Sequence, residues 1–312
     1  MPARNILITG ASGYLGGTIV AQLSTANLPS HGKIFALVRN DSQEEAVKNY
    51  GLMPLRFDPY DKAVVEENIL LHQISVVYWL IEAAKSTAQS YFIEALSNLR
   101  QETGQTVHIL HTSGAKLFSD FAGAPTDRLL LDSDLDLHAT QKGQQGAHPV
   151  IQKVAVDANN EVIELAEAQG VRSYIFVPCI VYGKGRGFGN PISIQTVAIV
   201  KAAKAAKRVY RVDTDHPSWP VSHVDDTAAL YIDILKKILA EENVDSGSNG
   251  YYLAASGSVA WDDLYDAFAQ SLAKRGIVED SQVTLADDAA LEKMAKGLSC
   301  PKEFVRVQIG GK

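Results

Sequence analysis

The sequence predicts an α/β fold: a doubly wound parallel sheet followed by a smaller C-terminal lobe. Three observations predict it. Strand and helix signals alternate through the first 180 residues, a glycine-rich turn interrupts that alternation at residue 10, and the rhythm changes after residue 180. Parallel neighbours need a long crossover between them, and a helix of this length provides one.

The elements follow in order. Residues 5–9 form a short apolar strand. Residues 14–26 carry Leu15, Ile19, Val20 and Leu23 at helical spacing. Strands are expected at 33–38 and 53–57, a helix at 61–73 and a buried strand at 76–81. The helix expected at 86–103 has Gly104 as its stop. Residues 107–111 form the next strand. Residues 150–169 are helical, with Val150, Val154, Ala158 and Val162 on one face and Gly170 after the end. A strand at 173–177 stops at Pro178. Beyond it, Gly183, Gly185, Gly187 and Gly189 make a glycine-rich loop, and helices are expected at 194–207, 225–239 and 261–274.

Composition limits the function. The chain has 312 residues, 46% hydrophobic and 21% charged, with a net charge of −7. That acidic balance argues against a nucleic-acid partner or an anionic membrane surface. No apolar run approaches the roughly 18 residues of a membrane helix. The chain runs from Met1 almost directly into its first strand, so no signal peptide is expected. Its two cysteines, Cys179 and Cys300, make neither a disulfide framework nor a metal cluster. A cytoplasmic protein acting on a small molecule is the expectation.

The turn at Gly10-Ala-Ser12-Gly13-Tyr14-Leu15-Gly16 lies between the first strand and first helix. Glycines let the backbone turn tightly and approach a pyrophosphate, while the helix N-terminus offers N–H groups and partial positive charge. The fold is therefore a Rossmann-type doubly wound parallel sheet with a smaller C-terminal substrate lobe. Residues 1–180 form the NADP(H)-binding domain. Residues 181–312 form most of the substrate lobe, with segments near 209–239 returning to the main domain. An NAD site places Asp or Glu at the end of the second strand, and an NADP site accommodates its extra phosphate with Arg. Here that strand ends Ala36-Leu37-Val38-Arg39, which selects NADP(H). Asp58 is a candidate for the adenine edge; its competing role is to cap a turn.

The chain resembles the atypical and extended short-chain dehydrogenase/reductase superfamily, which includes NAD-dependent epimerases and dehydratases. The resemblance rests on the phosphate loop, on Thr112-Ser113-Gly114 and on Lys153 with Asp157. It continues through Val177-Pro178-Cys179-Ile180-Val-Tyr182-Gly183 and Val221-Ser-His223-Val-Asp225-Asp226. It implies that Pro178, Cys179 and Ile180 lie against the nicotinamide and that the His223 segment is architectural. It also implies that Ser113 orients a substrate oxygen and that Lys153 holds the nicotinamide ribose. The superfamily's catalytic tyrosine stands four residues before its lysine, where this chain has Pro149; no tyrosine occurs between Tyr91 and Tyr174.

A positioned general acid contributes typically about 10²–10⁴-fold to rate. Two groups are candidates to replace it. Lys116, in His111-Thr-Ser-Gly-Ala-Lys116, resembles the lysine in the T-G-x-K segment of progesterone 5β-reductases and iridoid synthases. His148 stands beside the vacant position. Phe188, Asn190 and Trp219 are expected to line the substrate pocket. His108 and His111 fall on opposite strand faces, which argues against a shared metal.

The leading expectation is an NADPH-dependent reductase of a small carbonyl or conjugated enone. A non-catalytic cofactor sensor, like the nitrogen-metabolite repressor-type proteins that also lack the tyrosine, is the alternative. A nucleotide-sugar epimerase or dehydratase is a third. The resemblance further implies a homodimer through a four-helix interface that includes residues 150–169.

Overall fold

The computed structural model describes residues 3–144 and 155–311. It divides into two compact units. The first comprises residues 3–144, 155–178, 184–191 and 224–254, and the second 179–183, 192–223 and 255–311.

The first unit begins with β1 (Asn5–Ile8), α1 (Tyr14–Leu23), β2 (Ile34–Leu37), α2 (Asp41–Asn49), β3 (Met53–Leu55), α3 (Lys62–Leu71) and β4 (Ile74–Trp79). It continues with α4 (Thr87–Thr103), β5 (His108–Thr112), α5 (Leu137–Lys142), α6 (Asp157–Ala168) and β6 (Arg172–Pro178). The second unit opens with β7 (Ile180–Tyr182), α7 (Gln195–Ala206), β8 (Tyr210–Arg211) and β9 (Ser218–His223). The chain then returns to the first unit for α8 (Val224–Leu239) and β10 (Tyr251–Ala254). It finishes in the second with β11 (Gly257–Ala260), α9 (Trp261–Lys274), β12 (Thr284–Leu285), α10 (Asp288–Leu298) and α11 (Val305–Ile309).

The main sheet has seven strands in the order β10-β6-β5-β4-β1-β2-β3, all parallel. Alternation along each strand assigns its two faces. Ile6, Ile8, Val76, Tyr78, Tyr174 and Phe176 enter one core with α1 and α8. Leu7, Val77, Trp79, Ile175 and Val177 enter the other with α3, α4 and α6. Both faces are covered, which is why these strands read as continuous apolar runs. A buried polar chain ties α8 to the sheet: Tyr78 donates to the Tyr231 carbonyl at 2.9 Å, and the Tyr231 and Thr112 hydroxyls are 2.8 Å apart. Tyr231 also stacks on Phe176, with ring centroids 3.5 Å apart.

The expected alternation is present, with local differences. The fourth strand ends at Trp79 rather than Ile81, and Ile81 is exposed. The Trp79 indole donates to the Glu82 carbonyl at 2.8 Å, and the chain turns away there. Helix α2 carries one buried residue, Val47, so it has almost no apolar stripe; Asn40 caps it, accepting from the Gln43 amide at 3.0 Å. Strand β10 extends the main sheet beside β6, and α10 packs on α7 within the second unit. In that unit β11, β9 and β7 form a small sheet, antiparallel between β11 and β9. Among the described residues, no helix is long and apolar enough to cross a membrane.

His108 and His111 do point to opposite faces. His108 meets the Tyr174 hydroxyl, and His111 lies 3.3 Å from the Gln89 amide. Burial, with Arg4 and Arg172 nearby, pushes His108 down to about 3; burial pushes His111 down to about 4 despite a hydrogen bond with Asn159. Unfolded histidine titrates near 6.5. Below that pH the unfolded chain takes up protons that the native state refuses, so stability is full above pH ~6.5 and falls with acidification. Each histidine should contribute a slope approaching about 1.4 kcal/mol per pH unit. Urea unfolding at several values between pH 7 and 5 checks this, and a flat profile would contradict the neutral, buried histidines.

Candidate active site

Sheet order reverses between β1 and β4, the switch point where open α/β sheets bind ligands beyond their carboxyl edges. The phosphate loop lies there. Gly10 has φ +66°, and a side chain on it would put Cβ 2.8 Å from the Leu80 carbonyl. A Cβ at Gly16 would lie 2.3 Å from the Gly10 oxygen. Gly13 is the N-cap of α1, and no side chain caps that first turn. The loop with Ser12, Tyr14 and Leu15 therefore presents an uncapped helix N-terminus suited to an anion. Burial, with Asp225 nearby, pushes the Tyr14 phenol up to about 12, so it stays protonated.

Residues 184–191 return to this loop as a strap. The Asn190 amide donates to the Ser12 carbonyl at 2.9 Å, and the Arg186 amide to the Thr18 hydroxyl at 3.2 Å. The Arg186 guanidinium pairs with Asp225. Glycine makes the approach feasible: a Cβ at Gly187 would lie 2.4 Å from the Gly17 Cα, and one at Gly189 2.1 Å from the Ser12 oxygen. Phe188 packs against Tyr50, with centroids 6.1 Å apart. Phe188 and Asn190, expected in the substrate lobe, thus belong to the first unit beside the phosphate loop. The alternating glycines that brought them there were read only as a loop. Trp219 lies in the second unit, buried on β9 opposite Val259.

Arg39 is exposed just after β2, and no carboxylate among the described residues pairs with it. Its amide donates to Gln43 Oε1 at 2.9 Å, and Gln43 Nε2 donates to Ser12 Oγ at 3.2 Å. Ser12, Asn40, Gln43, Phe188 and Gly189 line an open recess of about 460 Å³. Gln43 is thus a site residue that sequence reading missed, because α2 itself went unread. Asp58 is exposed after β3, and its carboxylate accepts from the Tyr60 amide at 2.9 Å, which closes a turn. The cap of the following helix is Asp61, which accepts from Ala63 and Val64.

Ser113 follows β5 at the carboxyl edge, and its amide donates to the Phe176 carbonyl at 2.7 Å. Its hydroxyl is buried and has no hydrogen-bond partner among the described residues. Lys116 sits on the short 3-10 turn Ala115–Phe118, with Nζ 5.9 Å from the Phe121 ring centroid. Pro178 ends β6 and Ile180 opens β7. Between them, burial pushes the Cys179 thiol up to about 11, which makes it a poor nucleophile near neutral pH. Gly183 has φ +99°, and a Cβ there would lie 2.3 Å from His223 Nε2; the His223 ring meets Tyr182 edge-on. His148, Pro149 and Lys153 lie outside the described residues. Among those described, no group of three or more His, Cys, Asp or Glu is placed to hold a metal ion.

Residues 6–245 match the model of the NAD dependent epimerase/dehydratase family. Among curated proteins, none matches the chain. Solved structures share its fold at low identity. PbgP3 protein of Burkholderia pseudomallei is 12% identical, with 99% of this chain and 95% of that one covered and a TM-score of 0.63. The UDP-glucose 4-epimerase of Thermus thermophilus, solved in complex with NAD, is 16% identical over 97% of both chains, with a TM-score of 0.57. The enzyme WbmH of Bordetella bronchiseptica, solved with NAD⁺, is 16% identical over 98% of this chain and 99% of that one, also at 0.57.

The strap gives a testable contact. In Gly187→Ala the new methyl meets backbone, which cannot rotate away, and stability should fall by about 1–3 kcal/mol. Gly257→Ala, with nothing within 4 Å of the added Cβ, is the control. Equal urea midpoints for the two variants would contradict the docked strap.

Proposed function

The chain belongs to the NAD dependent epimerase/dehydratase family, a membership that supports a nicotinamide dinucleotide as cofactor, and we propose that it is an atypical NADPH-dependent reductase of a small carbonyl or conjugated enone. The observation that carries this reading is the buried Ser113 hydroxyl, which has no partner among the described residues, at the carboxyl edge of the sheet. A buried hydroxyl without a partner is costly, and a substrate oxygen would satisfy it.

The residues fit the cofactor. The uncapped first turn of α1 suits the pyrophosphate, and the glycines keep the loop surface free of side chains. Arg39, without a carboxylate partner among the described residues, suits a ribose 2′-phosphate beside Ser12 and Gln43. Bound NADPH would supply hydride. Ser113 would hold and polarise the substrate oxygen, and Lys116 or a water chain would stabilise or protonate the oxyanion. Lys153 keeps the ribose-holding role that the superfamily resemblance implies. Trp219, on β9, keeps the substrate-contact role expected from the sequence. The two free cysteines suit the reducing cytoplasm that the sequence led us to expect.

Pro149 favours a second reading. Without the tyrosine, the protein would bind NADP(H) and report on it without turnover. An epimerase, which must oxidise a hydroxyl, is less well served by Pro149 and by Arg39.

Titration with NADPH and NADH tests the cofactor. Tight NADPH binding is expected, and Arg39→Ala should weaken it about tenfold or more while leaving NADH binding unchanged. Equal affinity for both cofactors would sink the NADP assignment.

A screen of aldehydes, ketones and enones for NADPH oxidation tests turnover. Ser113→Ala should lower kcat on an accepted substrate and leave the NADPH Kd unchanged. Cofactor binding with no oxidation of NADPH across the screen would favour the sensor.

A further inference from the structure

The amino-terminal edge of the main sheet, opposite the phosphate loop, holds a separate polar cavity of about 320 Å³. Arg4 precedes β1, His108 opens β5, Arg172 opens β6, and all three line it with Tyr174. Glu241 and Glu242, both exposed, also border it.

The charges in this cavity are unevenly matched. Arg4 is buried, donating to the Thr106 carbonyl at 2.6 Å and to Glu241 at 3.3 Å. Arg172 donates to Ser246 Oγ at 3.3 Å and to the Val244 carbonyl at 3.0 Å. These are neutral acceptors, and among the described residues no carboxylate pairs with Arg172. Its charge is therefore uncompensated by a close partner.

The histidine tautomer follows from its neighbour. Tyr174 is fully buried, and its hydroxyl lies 2.9 Å from His108 Nδ1. A buried phenol needs an acceptor for its proton, and Nδ1 is the acceptor at hand. The neutral ring then carries its own proton on Nε2. His108 is 3% exposed, and Nε2 has no hydrogen-bond partner among the described residues. His108, whose buried Nε2–H has no acceptor among the described residues, and Arg172, which has no paired carboxylate among them, thus line one cavity, with Glu241 and Glu242 also bordering it.

We propose that this cavity binds a small phosphate-type oxyanion, either free phosphate or a phosphomonoester, through Arg172 and the His108 Nε2–H. The acidic rim disfavours larger polyanions, and the volume leaves room for a small organic substituent. The site is distinct from the phosphate loop and independent of the reductase reading.

Imidazole ¹H–¹⁵N spectra of the full chain read the site locally, so phosphate bound at the glycine loop does not confuse the result. Inorganic phosphate and glycerol 3-phosphate are titrated separately. Either should shift the His108 Nε2 signal saturably, and the tighter one identifies the source. Arg172→Gln should weaken binding about tenfold or more. Because Arg172 also braces the segment at 244–246, exposed Glu241→Gln is a second variant, expected to bind severalfold tighter through the loss of a repelling charge. A His108 signal unmoved by both phosphates overturns the proposal, as does Glu241→Gln binding no tighter than wild type.

Discussion

The close backbone contact between the first turn and the first helix is the constraint on which the rest of this structure depends. Gly16 sits so near the Gly10 carbonyl that no side chain fits between them. That contact aims the amino end of α1 across the switch point of the sheet, and it leaves the helix without a side-chain cap. A helix terminus left uncapped in a folded protein is an unmet demand for an acceptor. The strap at 184–191 repeats the device with a second set of glycines, so three backbone segments meet with hardly a side chain among them. Rigidity there comes from backbone packing and hydrogen bonds.

Much of the fold was legible because the sheet is parallel and covered on both faces. Such strands are dense in Ile, Val and Phe, and the helices between them must show one apolar face to the sheet. The elements that escaped are those without that signature. Helix α2 buries only Val47, so its evidence lay in the cap, Asn40 with Gln43, rather than in periodicity. Strand β10 is four residues long at the sheet edge and follows a late helix, so its partnership with β6 depends on contacts that no local pattern reveals.

The site was legible in uneven measure. The phosphate loop, Arg39 and Ser113 stand at the ends of β1, β2 and β5, where position in the chain implies position at the carboxyl edge. Phe188 and Asn190 were legible as members of a glycine-rich loop, but the direction that loop takes is tertiary information. Asp58 illustrates the reverse case: a carboxylate beside the expected adenine edge is engaged in the turn that leads to α3. The contrast between Ser113 and Cys179 is also physical. One presents a buried hydroxyl with no partner among the described residues, and the other a thiol that burial keeps protonated.

Helix α8 has a consequence for biogenesis. Tyr231, Ile232 and Leu235 complete one of the two cores of the first unit, yet they are encoded after all of β7 through β9. On the ribosome, six strands of the sheet can assemble with one face covered only in part, by α1. Non-local closure of this kind is slow, and uncovered apolar faces are prone to association. The nascent chain is therefore exposed from the completion of β6 until α8 emerges, and synonymous changes that slow translation across residues 179–223 lengthen that interval without altering a single side chain.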